Sequence, residues 1–136
     1  MNIGLIGFGA WGRRHAQAIA NLSGVQLTAI AVSGPESAAA ARSAVPNAVV
    51  TTDYRELLHH DDIDMLDIVV PNILHAQIAE AGLHAGKHVL VEKPMAISLE
   101  ECDRLVAAEK ATGKRVSVVH ELRVSSQWAR VKKEID

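Results

Sequence analysis

Glu92-Lys93-Pro94 closes one apolar run, and Gly7-Phe8-Gly9-Ala10-Trp11-Gly12 follows another at the N-terminus. Three glycines at this spacing, between a strand and a helix, build a turn on which a diphosphate can lie. Gly7 permits the tight turn, Gly9 lets the anion approach the backbone, and Gly12 allows the helix to pack closely on the strand. Ala10 and Trp11 complete the loop, and the anion then faces unpaired N–H groups at a helix end carrying about half a positive charge. A lysine at the end of a later strand suits a different task. Hydride removal from a carbinol leaves a proton for a base, and a lysine beside a cationic nicotinamide has its pKa pushed toward neutrality. Glu92 is placed to accept a hydrogen bond from a cofactor ribose, and Pro94 to fix the turn, with a cis peptide available to it. The two strings together point to a redox enzyme using a dinucleotide.

The ribose end is read at the close of the second strand. An acidic residue there binds the 2′-hydroxyl of NAD. This chain has Ser33-Gly34-Pro35 instead, with no acid before Glu36. A hydroxyl without a carboxylate removes repulsion against a 2′-phosphate, so NADP is slightly preferred to NAD. Arg13 and Arg42 are the nearby cations, both read as solvated helix residues.

These residues need a scaffold, and strand-like and helix-like stretches alternate along the chain, the pattern of a parallel sheet with crossover helices. Strands are expected at Ile3–Ile6, Gln26–Val32, Ala48–Thr51, Met65–Val70, His88–Val91 and Val116–Val119. Met65–Val70 reads as the central strand, buried on both faces. Trp11, His15, Ala18, Ile19 and Leu22 recur at helical spacing. Further helices are expected over Glu36–Ser43, in a turn from Asp53 to Leu58 capped by Asp53, and from an Asn72 cap to Gly86. Another runs from a Ser98/Glu101 capping box to about Thr112, where Gly113 ends it. Trp128, Val131 and Ile135 form an amphipathic stripe behind Ser125 or Ser126. The expected fold is α/β, a doubly wound parallel sheet in order 3-2-1-4-5-6, over residues 1–124. Residues 125–136 are expected to begin a connecting helix toward a further, substrate-binding domain.

Composition narrows the class. The 136 residues suit one domain, and with 49% apolar but only 3% aromatic residues the core must be aliphatic. A net charge of −2 gives no reason to expect nucleic acid or an anionic membrane as partner. The lone Cys102 allows no internal disulfide and reads as a core residue, favouring a reducing, cytoplasmic setting. The seven histidines are scattered, and Gly86 separates His84 from His88, so no metal is expected.

With these residues in place the chain resembles the glucose–fructose oxidoreductase and inositol dehydrogenase family. The resemblance rests on the glycine string, His15, Pro71-Asn72 with His75, and Gly86-Lys87-His88-Val89 running into Glu92-Lys93-Pro94. Arg123 matches the family's arginine near the cofactor. Val70 stands where the family usually has threonine, and Glu121 where asparagine is common. The resemblance implies a Rossmann-type fold and NAD(P)-dependent oxidation or reduction of a small molecule: a sugar, polyol or related compound. It also implies that Lys93 is catalytic and that Pro71, Asn72, His75 and Arg123 join the cofactor site. The 136 residues alone are expected to bind cofactor without turnover, and to self-associate as a homo-oligomer through the stripe of Trp128 and Val131. The alternative is a non-catalytic dinucleotide sensor of the same fold, which has no need of a lysine at position 93.

Overall fold

A computed structural model describes residues 1–136. Strands β1 (Asn2–Ile6), β2 (Gln26–Ala31), β3 (Val49–Thr51), β4 (Met65–Ile68), β5 (His88–Glu92) and β6 (Val116–Val119) alternate with helices α1 (Ala10–Ala20), α2 (Pro35–Ala44), α3 (Arg55–Leu58), α4 (His75–His84) and α5 (Leu99–Thr112). Two further helices, α6 (Glu121–Val124) and α7 (Ser126–Ile135), close the chain. All strand pairs are parallel and the order is β3-β2-β1-β4-β5-β6. The doubly wound sheet expected from the alternation is therefore the observed one.

The two faces of the sheet carry separate cores. Ile3 and Leu5 of β1 pack with Ile30 of β2, Ala16 and Ile19 of α1, and Ala38 and Ala41 of α2. Leu66 and Ile68 of β4 and Val89 and Val91 of β5 pack on the other face with Ile78 and Leu83 of α4 and Leu105 of α5. Side chains of a strand alternate between faces, so this parity places Asp67 and Glu92 on the face that α1 covers. Both cores are aliphatic apart from Phe8, as the composition requires.

Boundaries follow local chemistry. Pro35 occupies the first turn of α2, and Ser98 Oγ accepts the Glu101 N–H at 3.2 Å to begin α5. Glu101 reaches back to the Ile97 N–H at 3.0 Å, one residue earlier than a closed box requires. Gly113 ends α5 in the left-handed region (φ 69°).

Several sequence expectations are corrected. Helix α1 buries Gly12, Ala16 and Ile19, while Trp11 and Leu22 are exposed, because the contact of Gly12 with the Gly7 carbonyl turns that face inward. Asn72 opens a 3-10 turn (Asn72–Leu74) rather than capping α4, since Pro71 precedes it and no side-chain cap forms. Cys102 is only half buried, with Leu105 taking the core position on α5. No helix is long and apolar enough to cross a membrane.

Candidate active site

The turn after β1 is shaped by two close contacts. Gly7 has φ +102°, and a Cβ there would stand 2.0 Å from the Val69 carbonyl oxygen. A Cβ on Gly12 would stand 2.1 Å from the Gly7 carbonyl oxygen. Neither position admits a side chain, so α1 is pulled end-on against the carboxyl ends of β1 and β4. Gly9 differs, since a Cβ there meets nothing within 4 Å. The space above Gly9 is open, and it faces the start of α1. That helix has no side-chain cap and no acidic residue in its first turn, so its leading N–H groups point at the opening. An open space over a glycine, backed by uncapped N–H donors, fits a pyrophosphate.

Two clefts meet at this point. The larger, of about 510 Å³, includes Gly7, Gly9, Ser33, Ser37, Tyr54, Arg55, Pro71 and Gln77 in its lining. The smaller, of about 360 Å³, is bordered by Gly9, Ala10, Trp11, Gly12, Pro71, Asn72, His75, Glu92 and Lys93. Gly9 and Pro71 line both. One crevice thus runs over the carboxyl ends of the strands, across the switch between β1 and β4 where the sheet order reverses.

Around Lys93 the backbone is held from two sides. Glu92 Oε2 accepts the Lys93 N–H at 3.0 Å, and the Lys93–Pro94 peptide is cis. His75 is fully buried, its ring nitrogens 2.7 Å from the Pro94 carbonyl oxygen and 2.8 Å from that of Val70. His15 Nδ1 lies 2.8 Å from Asp67 Oδ2 and its Nε2 lies 3.2 Å from Glu92 Oε1. The Asp67 hydrogen bond holds the His15 imidazole above its usual 6.5, against the opposing effect of burial, and Glu92 adds to the rise. Because the carboxylates take opposite ring nitrogens, the three side chains have no common centre for a metal.

The glycine loop, Ser33, Pro71, Asn72, Glu92 and Lys93 of the sequence reading therefore come together at one crevice. The structure adds the surroundings of three residues. His75 borders the cleft, but both ring nitrogens are engaged by carbonyls, so it acts from beneath. Glu92, expected to receive a ribose hydroxyl, is engaged by His15 and by the Lys93 N–H. Arg123 is exposed on α6 and lines neither cleft. Arg42 and Arg13 also stay out of the adenosine end, Arg42 reaching the Val50 carbonyl and Arg13 lying over the Phe8 ring. Reading Met65–Val70 only as a strand buried on both faces passes over Asp67, which is only 2% exposed. A carboxylate in mid-strand was the available signal. Tyr54 and Arg55 reach the larger cleft through the sheet order, for which no local signal exists.

Comparison with known proteins agrees with this geometry. Residues 1–120 match the family described as "Oxidoreductase family, NAD-binding Rossmann fold". Inositol 2-dehydrogenase of Salmonella paratyphi B is 35% identical over 119 residues, covering 85% of this chain and 35% of that protein. The 1-carboxy-3-chloro-3,4-dihydroxycyclo hexa-1,5-diene dehydrogenase of Comamonas testosteroni is 36% identical over 136 residues, covering 100% of this chain and 34% of its own. Among solved structures, apo scyllo-inositol dehydrogenase from Lactobacillus casei superposes with a TM-score of 0.90 at 27% identity, covering 98% of this chain and 40% of that one. The chain spans about a third of the length of the curated relatives it matches.

Proposed function

The chain belongs to the oxidoreductase family with an NAD-binding Rossmann fold, and from that premise we propose that it is the cofactor-binding part of an NAD(P)-dependent oxidoreductase. Its substrate is a sugar, polyol or related carbinol or carbonyl compound, and Lys93 is the acid/base. The relatives named for inositol support that substrate class. The observation that carries the reading is the shared wall of the two clefts. A dinucleotide crossing the open space at Gly9 has one end among Ser33, Ser37 and Arg55 and the other beside Lys93.

A bound nicotinamide cofactor would supply hydride exchange with the substrate carbon. The chain's own residues do the rest. The first N–H groups of α1 take the pyrophosphate charge. Lys93 accepts a proton during oxidation and returns it during reduction. Pro71 and Asn72 wall the crevice beside it. At the adenosine end the hydroxyls of Ser33 and Ser37, with the Arg55 guanidinium and no carboxylate at position 33, favour the 2′-phosphate of NADP. Arg55 is also paired with Asp53 at 3.2 Å, which holds it near the cleft.

Residues 1–124 form the cofactor domain in this reading, and α7 leads toward the substrate-binding part. The exposed Trp128, Val131 and Ile135 of α7 supply a surface for association between copies. The single free cysteine supports a reducing, cytoplasmic setting. Because orientation of substrate can contribute about 7–11 kcal/mol, residues 1–136 alone bind cofactor without turnover.

Titrating residues 1–136 with NADPH and NADH tests the reading. NADPH is expected to bind more tightly, and affinity for neither in a folded sample overturns it. Lys93→Met in the gene product, assayed for polyol oxidation, is expected to lower kcat by about 10²–10⁴ while NADPH still binds. An undiminished kcat removes Lys93 from the mechanism.

A further inference from the structure

His15 was singled out in the sequence, yet the chemistry above gives it no task. It sits on α1, and its ring bridges two carboxylates from different strands. The parallel register explains the meeting. Asp67 of β4 pairs with Leu90 of β5, so Glu92, two residues on, shares its face. Carboxylates only accept, so each contact is a hydrogen bond when the ring nitrogen facing it carries a proton. Asp67 is buried, its Oδ1 has no partner, and His15 is the only hydrogen-bond partner of its Oδ2. The buried carboxylate thus depends on His15 for compensation. Glu92 is held at both oxygens, by His15 at Oε1 and by the Lys93 N–H at Oε2.

We propose that His15 is a positioning residue: by bridging Asp67 and Glu92 it locks the Glu92–Lys93–Pro94 turn to the helix whose N-terminus faces the diphosphate. The two ends of the crevice are then held in one geometry. His15 fixes Glu92, Glu92 fixes the Lys93 backbone, and His75 fixes the Pro94 carbonyl on the other side. His15 itself lines neither cleft and reaches the smaller one only through Glu92. The functional part of this inference rests on the reading of Lys93 as the residue beside the nicotinamide. The positioning itself is tested without ligand.

The experiment compares His15→Gln, Glu92→Gln and the double variant in the 136-residue chain, using amide hydrogen exchange. The Lys93 amide is expected to exchange about tenfold faster in each single variant, the equivalent of one lost hydrogen bond. The Val89 amide, bonded to the Arg115 carbonyl at 2.8 Å, should be unchanged. The double variant should be no faster than either single one, because both remove the same link. An unchanged Lys93 amide, or losses that multiply, overturns the proposal. So does a rise shared equally by Val89, which marks general loosening. Should His15→Gln not fold, Glu92→Gln carries the same comparison, and ring nitrogen NMR of the unaltered chain must still show both His15 nitrogens protonated at pH 6.5. In a second arm, each single variant should bind NADPH about tenfold more weakly while 2′,5′-ADP, which lacks the nicotinamide half, stays within about twofold. Parallel losses of both ligands also overturn it. If the unaltered chain binds no NADPH while the amide result holds, the cofactor reading fails and the positioning role stands.

Discussion

Replacing Gly9 with alanine separates binding from folding. Gly9 has φ −74° and ψ −161°, an extended conformation open to alanine, and its added Cβ meets no atom within 4 Å. Two small effects on stability oppose each other. Restricting the unfolded chain favours the variant by about 0.4–1 kcal/mol. Losing glycine at the helix N-cap costs a similar amount, about 0.5–1 kcal/mol. The melting temperature should therefore hardly move. Binding should weaken, because the methyl group occupies the space over the helix N-terminus where the diphosphate lies. Each N–H bond to a charged oxygen contributes about 1.5–3 kcal/mol, so losing one weakens NADPH roughly ten- to hundredfold. Gly12→Ala is the control with the opposite signature. Its Cβ would lie 2.1 Å from the Gly7 carbonyl oxygen, so α1 must shift, and about 1–3 kcal/mol of stability is lost. Thermal unfolding by circular dichroism and NADPH titration by fluorescence read both effects. A Gly9→Ala chain that binds NADPH within twofold of the original would refute the assignment of this loop.

Three further outcomes are expected. The His15 pKa is raised in the folded chain, so its contribution to stability is complete below the unfolded value of 6.5 and fades as pH rises through the folded value. The stability difference between the chain and His15→Gln, from urea unfolding at stepped pH, should shrink above pH 6.5; a difference that grows there contradicts the bridge. Arg55→Ala should weaken NADPH by about three- to tenfold, less at high salt because the side chain is exposed, and leave NADH within about twofold; equal losses for both would remove Arg55 from the 2′-phosphate site. Leu66, fully buried at the centre of the sheet, should cost about 2–5 kcal/mol when cut to alanine; a loss below about 1 kcal/mol in urea would show that α4 closes the cavity.

Much of the scaffold was legible because its signals are local. Gly7, Gly9 and Gly12 report constraints that act within a few residues: a positive φ, an open approach, and a backbone contact. Gly113 and Ser98 mark helix ends through their own backbone and side-chain bonds. Spacing alone does not give the face that α1 buries. Trp11 and Leu22 fit a helical stripe, but the contact at Gly12 decided which side meets the sheet and left Trp11 52% exposed.

By itself the sequence determined which pieces exist: six strands in alternation with helices, a glycine turn that admits no other residue at two positions, and a lysine at the end of β5. Tertiary structure alone decided which side chains meet. His15 lies 52 residues from Asp67 and 77 from Glu92, and nothing in their separate surroundings couples them. They meet because the chain returns past β1 to lay β4 beside it and β5 beside β4, and because side chains alternate along each strand, turning both carboxylates toward α1. The pairing of β3 with β2 brings Arg55 to the crevice, and the return gives Glu92 a histidine. Local sequence sets conformation through short-range sterics and hydrogen bonds, whereas charges distant in the chain interact only after the sheet has fixed the distance between them.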